Sequence, residues 1–156
     1  MPNPTPYRTL PAPRRLMLVT HDIASSRESR DGYIRSMVTR GGGFRAEKLR
    51  KWTPEQLARE VVRHGLESPR DELNLLHTLY VEVEPELQME FLTAAGVAHE
   101  RGVMPDDLQP PFASEANVKS AAEALIAKHG DEGRRYLRAI ALYNGDAWPG
   151  LVGVLG

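Results

Sequence analysis

Start and stop signals for helices recur along this chain and constrain its fold more than any other feature of the sequence. Thr53 precedes Pro54, and Ser68 precedes Pro69, so a capping hydroxyl stands before a proline that suits a first helical turn. Apolar residues then follow at intervals of three and four until a glycine such as Gly65 ends the run. Because this pattern is repeated several times, it predicts an all-α fold.

The expected architecture is a compact bundle of six or seven short helices in a single domain, residues 14–156. Residues 1–13 contain five prolines and no apolar period, which predicts an extended N-terminal arm. Apolar residues make up 41% of the chain, enough for one core in a chain of 156 residues.

Three boundaries follow from local chemistry. A helix is expected to begin at Ser25, where Glu28 completes a capping box, and to end at the glycines of residues 41–43. Another is expected from Pro85 to Gly102. Residues 103–113 contain three prolines and are predicted to form a loop.

Charge is distributed unevenly along the chain. Residues 1–51 contain 11 Lys and Arg against 4 Asp and Glu, whereas residues 52–156 contain 9 against 17. An imbalance of this kind indicates that the basic part contacts either an external anion or the acidic part of the protein.

Residue types and patterns that are missing from the sequence exclude several classes of function. The chain contains no cysteine, which excludes disulfides, thiolate nucleophiles and thiolate-bound metals. Its apolar runs are much shorter than a membrane span, and a secretory signal pattern is missing. We therefore expect a cytoplasmic protein without membrane contact, cofactor or metal.

The basic stretch, residues 40–51 together with the adjoining Trp52, is the first candidate site. Guanidinium and ammonium groups here could bind phosphate or carboxylate, and Phe44 and Trp52 could stack on bases. The bland interpretation is a solvated linker whose two aromatic rings anchor it to the core. The candidate binding residues are Arg40, Phe44, Arg45, Lys48, Arg50, Lys51 and Trp52.

The acidic face is the second candidate site and consists of Glu82, Glu86 and Glu90. Glu86 and Glu90 are one helical turn apart, so both could contact a cation or a basic partner. A histidine is not found three residues after any glutamate, so the di-iron bundle motif is missing. A solvated helix face is the simpler interpretation.

Two weaker candidates concern single residues. A cleft lined by His77, Glu82 and His99 would be needed for a metal-dependent enzyme. Trp148 is either a core residue that closes the bundle or an exposed anchor for a partner.

The function predicted from these patterns is a non-enzymatic interaction or adaptor module that binds a protein partner or associates with itself. Its working surfaces would be the basic stretch and the acidic face. The alternative is an accessory protein that binds nucleic acid through residues 40–51, and the enzyme is the least favoured class. We find no resemblance between these motifs and those of a known protein family.

Overall fold

The structure is a computed structural model and describes residues 4–40 and 43–156. Within these ranges there is no β-strand, and the only β-type pairing is an isolated bridge between Glu100 and Val103. The predicted all-α class is therefore confirmed.

The described residues form nine α-helices, seven of which have ten or more residues. Short 3₁₀ turns occur at Tyr7–Thr9 and Gly145–Ala147, and a π-helical turn occurs at Leu79–Val83. The α-helices are α1 (Ala12–Ser25), α2 (Arg27–Thr39), α3 (Ala46–Arg50), α4 (Pro54–His64), α5 (Pro69–Thr78), α6 (Glu86–Ala95), α7 (Glu115–His129), α8 (Asp131–Asn144) and α9 (Leu151–Leu155).

Internal contacts divide the chain into two compact units, Met1–Leu75 (the N-terminal unit) and Leu76–Gly156 (the C-terminal unit). The single domain expected over residues 14–156 and its six or seven helices stay predictions. Among the described residues, no helix combines the length and the apolar character needed to cross a membrane.

The N-terminal unit is organised around α1, which packs against α4 and α2, while α3 packs on α2. Leu18 and Val19 of α1 and Leu57 of α4 have no solvent exposure. Burial of such side chains contributes about 1.5–3 kcal/mol each, which makes the α1–α4 contact the centre of this core. Leu49 attaches the short α3 to the unit because its side chain is also fully buried.

Polar contacts hold the first described residues in the N-terminal unit. The carboxylate of Glu72 is only 4% exposed. Thr5 donates a hydrogen bond to it at 2.6 Å, and the Arg8 guanidinium donates another at 3.0 Å. Two donors thus stabilise a buried charge that would otherwise be costly. The extended arm of residues 1–13 stays a prediction, and residues 1–3 lie outside the described residues.

The local signals locate most helix ends in the N-terminal unit. The capping box at Thr53 is present, with reciprocal hydrogen bonds between Thr53 and Gln56. The expectation that Ser25 caps α2 is wrong by one residue, since Ser26 has the extended backbone and accepts the amide of Ser29 at 3.1 Å. α2 ends at Thr39, and the glycine stop expected at residues 41–43 falls partly on Gly41 and Gly42, outside the described residues.

The C-terminal unit is built from α6 to α9. α7 packs against α6, α8 and α9, and α8 packs against α9. The helix expected to reach Gly102 is wrong at its end: α6 stops at Ala95, because Gly96 has a left-handed backbone with φ of 77°. Residues 103–113 contain no helix, as predicted. Tyr136 and Phe91 are fully buried, with ring centroids 5.8 Å apart.

Candidate functional site

A groove in the N-terminal unit, between α2 and α3, is the candidate functional site. Its volume is about 670 Å³, within the range of about 300–1,000 Å³ of ligand pockets. Four guanidinium groups and one carboxylate line it, and we call it the arginine groove. These charged residues are Arg27, Arg30, Asp31, Arg35 and Arg50.

Most of the groove is one face of α2. Residues 27, 30 and 31 are followed by 34, 35 and 38, which is the three- and four-residue spacing of a single helix face. The Ser26 cap fixes where this helix begins and therefore which residues face α3.

Arg30 connects the two walls of the groove. Its Nη2 donates to the carbonyl oxygen of Trp52 at 2.6 Å and to that of Arg50 at 3.1 Å. These carbonyls lie at the end of α3, where helical oxygens lack partners within the helix. Arg30 is therefore a structural element of the groove and caps the neighbouring helix from outside.

The other three guanidinium groups, which we call the groove arginines, are those of Arg27, Arg35 and Arg50. All three side chains are exposed. Within residues 4–40 and 43–156 none of the three side chains forms a hydrogen bond or an ion pair. Asp31 brings a single negative charge to the same groove. The arginine groove is therefore a strongly positive surface with donors available to an anion.

The floor of the groove is apolar. Ile34 is 4% exposed, whereas Val38 keeps 37% of its surface accessible. Ala46 of α3 completes the floor. The combination of an apolar floor and a cationic rim can bind an apolar side chain and carboxylates of one ligand at the same time.

The predicted basic stretch is divided by the structure. Arg50 lines the groove, but Arg40 binds the carbonyl oxygens of Gly65 and His64, at 2.8 and 3.4 Å, and so caps the end of α4. Phe44 and Trp52 are half-buried, with ring centroids 5.7 Å apart in an edge-to-face arrangement. The two rings thus pack within the unit.

The remaining cations of the stretch are Arg45, Lys48 and Lys51, which we call the outer cations. All three are exposed, and they do not line the groove. Arg27, Arg30 and Arg35 were not among the residues selected from the sequence. Their spacing on a helix with Ile34 and Val38 is the signal that could have identified them.

The predicted acidic face lies in the C-terminal unit, and its three glutamates differ in their exposure and their contacts. Glu82 and Glu86 are exposed. Glu90 hydrogen bonds to His129 at 2.7 Å and forms an ion pair with Lys128 at 3.0 Å, both at the end of α7. These two contacts hold the pKa of Glu90 below its usual value. Glu90 therefore joins α6 to α7.

The histidines of the enzyme hypothesis have structural partners. The ring of His77 stacks on that of Tyr143 with centroids 4.8 Å apart, and burial lowers the pKa of this imidazole, while Glu82 acts in the opposite direction. His99 hydrogen bonds to the Thr93 hydroxyl at 2.8 Å and accepts from the Gly102 amide at 3.0 Å. In the part of the chain that the structure describes, no three His, Asp or Glu side chains are grouped to hold a metal ion.

Trp148, the candidate anchor, is 4% exposed. Its ring packs edge to face on Phe91 and Phe112, with centroids 5.1 and 5.3 Å away. The structure therefore places this side chain in the core of the C-terminal unit, where it offers little surface to a partner.

Comparison with known proteins gives no relative from which a function can be transferred. The chain matches no protein-family model, and it has no significant similarity to a curated protein or to a solved structure.

Proposed function

We propose that this protein is a non-enzymatic interaction module whose basic N-terminal unit binds an acidic partner protein. The observation that carries the proposal is the arginine groove, where four guanidinium groups meet a single carboxylate. Such an excess of one charge attracts an oppositely charged partner and accelerates its association. The surplus of basic residues in positions 1–51 supports the same conclusion.

An acidic protein fits this surface better than a nucleic acid does. Single-stranded nucleic acids are held by aromatic rings that stack on bases, but Phe44 and Trp52 pack on each other. Binding of nucleic acid through residues 40–51 is therefore the second outcome of the experiment below.

The acidic face supplies the second surface that an adaptor needs. In this proposal Glu82 and Glu86, both exposed, contact a basic partner or a second copy of this chain. Glu90 is already engaged within the C-terminal unit, by an ion pair with Lys128 and a hydrogen bond with His129. If copies associate through opposite charges, the particle size in light scattering falls as salt rises, since salt screens such contacts. A monomer at every salt concentration would reject self-association.

The test of acidic-partner binding is a titration of the protein with fluorescein-labelled probes, followed by fluorescence anisotropy at low salt. The probes are a glutamate-rich peptide, a lysine-rich peptide of equal length and a single-stranded oligothymidylate. We expect the glutamate-rich peptide to bind and its affinity to fall as salt is raised, while the lysine-rich peptide tests the acidic face separately.

Absence of binding to the glutamate-rich peptide at low salt would overturn the proposal. Tighter binding of the oligothymidylate, with log K falling by about 0.7 per phosphate contacted for each decade of salt, would favour the nucleic-acid class instead.

A further inference from the structure

We propose that the arginine groove is a specific site for an acidic peptide segment that carries an apolar side chain between its carboxylates. This inference rests on the proposed function and assigns the binding to one place and one class of ligand. The apolar side chain would contact the floor of the groove, and the flanking carboxylates would bind the groove arginines.

The floor argues for the apolar side chain. Ile34 is nearly inaccessible and closes the bottom of the groove, whereas Val38 also lines the groove and is 37% exposed to solvent. A ligand that covers Val38 and Ala46 removes apolar surface from water, which favours binding by the hydrophobic effect. A purely charged ligand would leave this contribution unused.

The rim argues for the carboxylates. The side chains of Arg27, Arg35 and Arg50 are exposed and make no hydrogen bond or ion pair within the described residues. A guanidinium group matches a carboxylate with two parallel hydrogen bonds. Three such groups around one floor would therefore orient a ligand as well as attract it.

The size and rigidity of the groove fit a short segment of chain. About 670 Å³ holds a few side chains, as in other ligand pockets. The two hydrogen bonds from Arg30 to the end of α3 fix the distance between the walls. Since the walls are already positioned, little ordering of the protein is needed on binding.

A charge-matched pair of variants separates this site from a general attraction of charges. The groove variant replaces the groove arginines and is R27Q, R35Q and R50Q. The control variant replaces the outer cations and is R45Q, K48Q and K51Q. Both variants lose three positive charges from the same unit, so their effects on long-range attraction are comparable.

The probe is a fluorescein-labelled peptide with one leucine between runs of glutamate, together with its leucine-to-serine counterpart. We expect the groove variant to bind the leucine peptide about tenfold more weakly than the wild type, which corresponds to the loss of three exposed ion pairs. The control variant should change the affinity by about twofold or less.

A second pair of variants tests the floor without changing charge. V38S removes the accessible apolar side chain of the groove, and M17S removes a similarly exposed side chain from α1. We expect V38S to weaken the leucine peptide about threefold, to leave the serine peptide unaffected and to abolish the preference for leucine. M17S should leave both affinities unchanged. Circular dichroism and the midpoint of thermal unfolding show that each variant is folded.

The outcomes distinguish the two proposals. If the wild type binds neither acidic peptide, the proposed function itself fails. If the wild type binds but the groove variant and the control variant lose affinity equally, the partner is acidic and the groove site is wrong. Equal affinity of the wild type for the leucine and serine peptides also rejects this inference, because the floor would then contribute nothing.

Discussion

Two glycines in helices allow a direct test of how closely α7 and α8 pack. Gly133 lies in the first turn of α8 and is buried. A Cβ atom added there would lie 2.9 Å from the carbonyl oxygen of Leu125 in α7. Gly32 lies within α2, and a Cβ atom added at this position has no neighbour within 4 Å. Gly133→Ala and Gly32→Ala are therefore the same chemical change in opposite surroundings.

The two substitutions should have opposite effects on the free energy of unfolding. Alanine is favoured over glycine in a helix by about 0.5–1 kcal/mol, so Gly32→Ala should stabilise the protein by roughly that amount. At Gly133 the new methyl group meets a backbone atom, which cannot rotate away as a side chain does. Such overpacking costs about 1–3 kcal/mol, so Gly133→Ala should destabilise the protein by roughly 0.5–2 kcal/mol after the helix preference is subtracted.

Urea unfolding followed by circular dichroism measures both changes. A change of 1 kcal/mol should also move the midpoint of thermal unfolding by about 2–4 °C in a chain of this length. If Gly133→Ala proves as stable as Gly32→Ala, α7 and α8 do not approach each other as described, and the reasoning is refuted.

Three further substitutions test individual contacts. Arg30→Ala should lower the free energy of unfolding by about 1–2 kcal/mol and speed amide exchange in α3, because two carbonyl oxygens lose their donor; unchanged exchange would contradict this role. Tyr33→Phe should cost about 1 kcal/mol, since the hydroxyl donates to Asp22 at 2.7 Å, and equal urea midpoints would reject that bond. The contact with His129 lowers the pKa of Glu90 in the folded protein. The difference in unfolding free energy between wild type and Glu90→Gln should therefore be largest above the ordinary carboxyl pKa of about 4.5 and should shrink as the pH falls below it. A difference that grows in acid would refute the assignment.

The features predicted correctly from the sequence are those determined within a few residues. The capping box at Thr53 needs only residues 53–56, and the prolines of residues 103–113 exclude a helix wherever the loop lies. Local signals do not distinguish between two nearby residues of the same type. Ser25 and Ser26 have the same side chain, but the helix begins after Ser26, which is the capping residue. Gly96 and Gly102 both stand as stop signals, and the left-handed turn at Gly96 comes first.

The start of α1 is difficult to predict from the sequence, because prolines at this position are equally typical of an extended arm. Pro13 lies in the first turn of α1, where a missing amide hydrogen costs nothing. A proline near the start of a helix and a proline in an extended segment therefore look alike in the sequence. Packing against α4 decides between them.

The arginine groove could be predicted only in part. Arg50 stands in a run of cations that is visible in the sequence, but its partners on α2 are more than ten residues away in the chain. The four-residue spacing of Ile34 and Val38 indicates an apolar helix face, but only the structure shows that Ile34 is buried while Val38 is exposed. Arg40 looked equally suited to bind a ligand, but the end of α4 occupies it.

The first described residues stabilise the N-terminal unit because they donate hydrogen bonds to the buried carboxylate of Glu72. Its two donors, Thr5 and Arg8, lie more than sixty residues before it in the sequence. An exopeptidase that digested past Arg8 would leave an ionised group in the interior with neither donor, a loss of about 1–3 kcal/mol. Removal of these residues would therefore lower the free energy of unfolding of the N-terminal unit and not only shorten the chain.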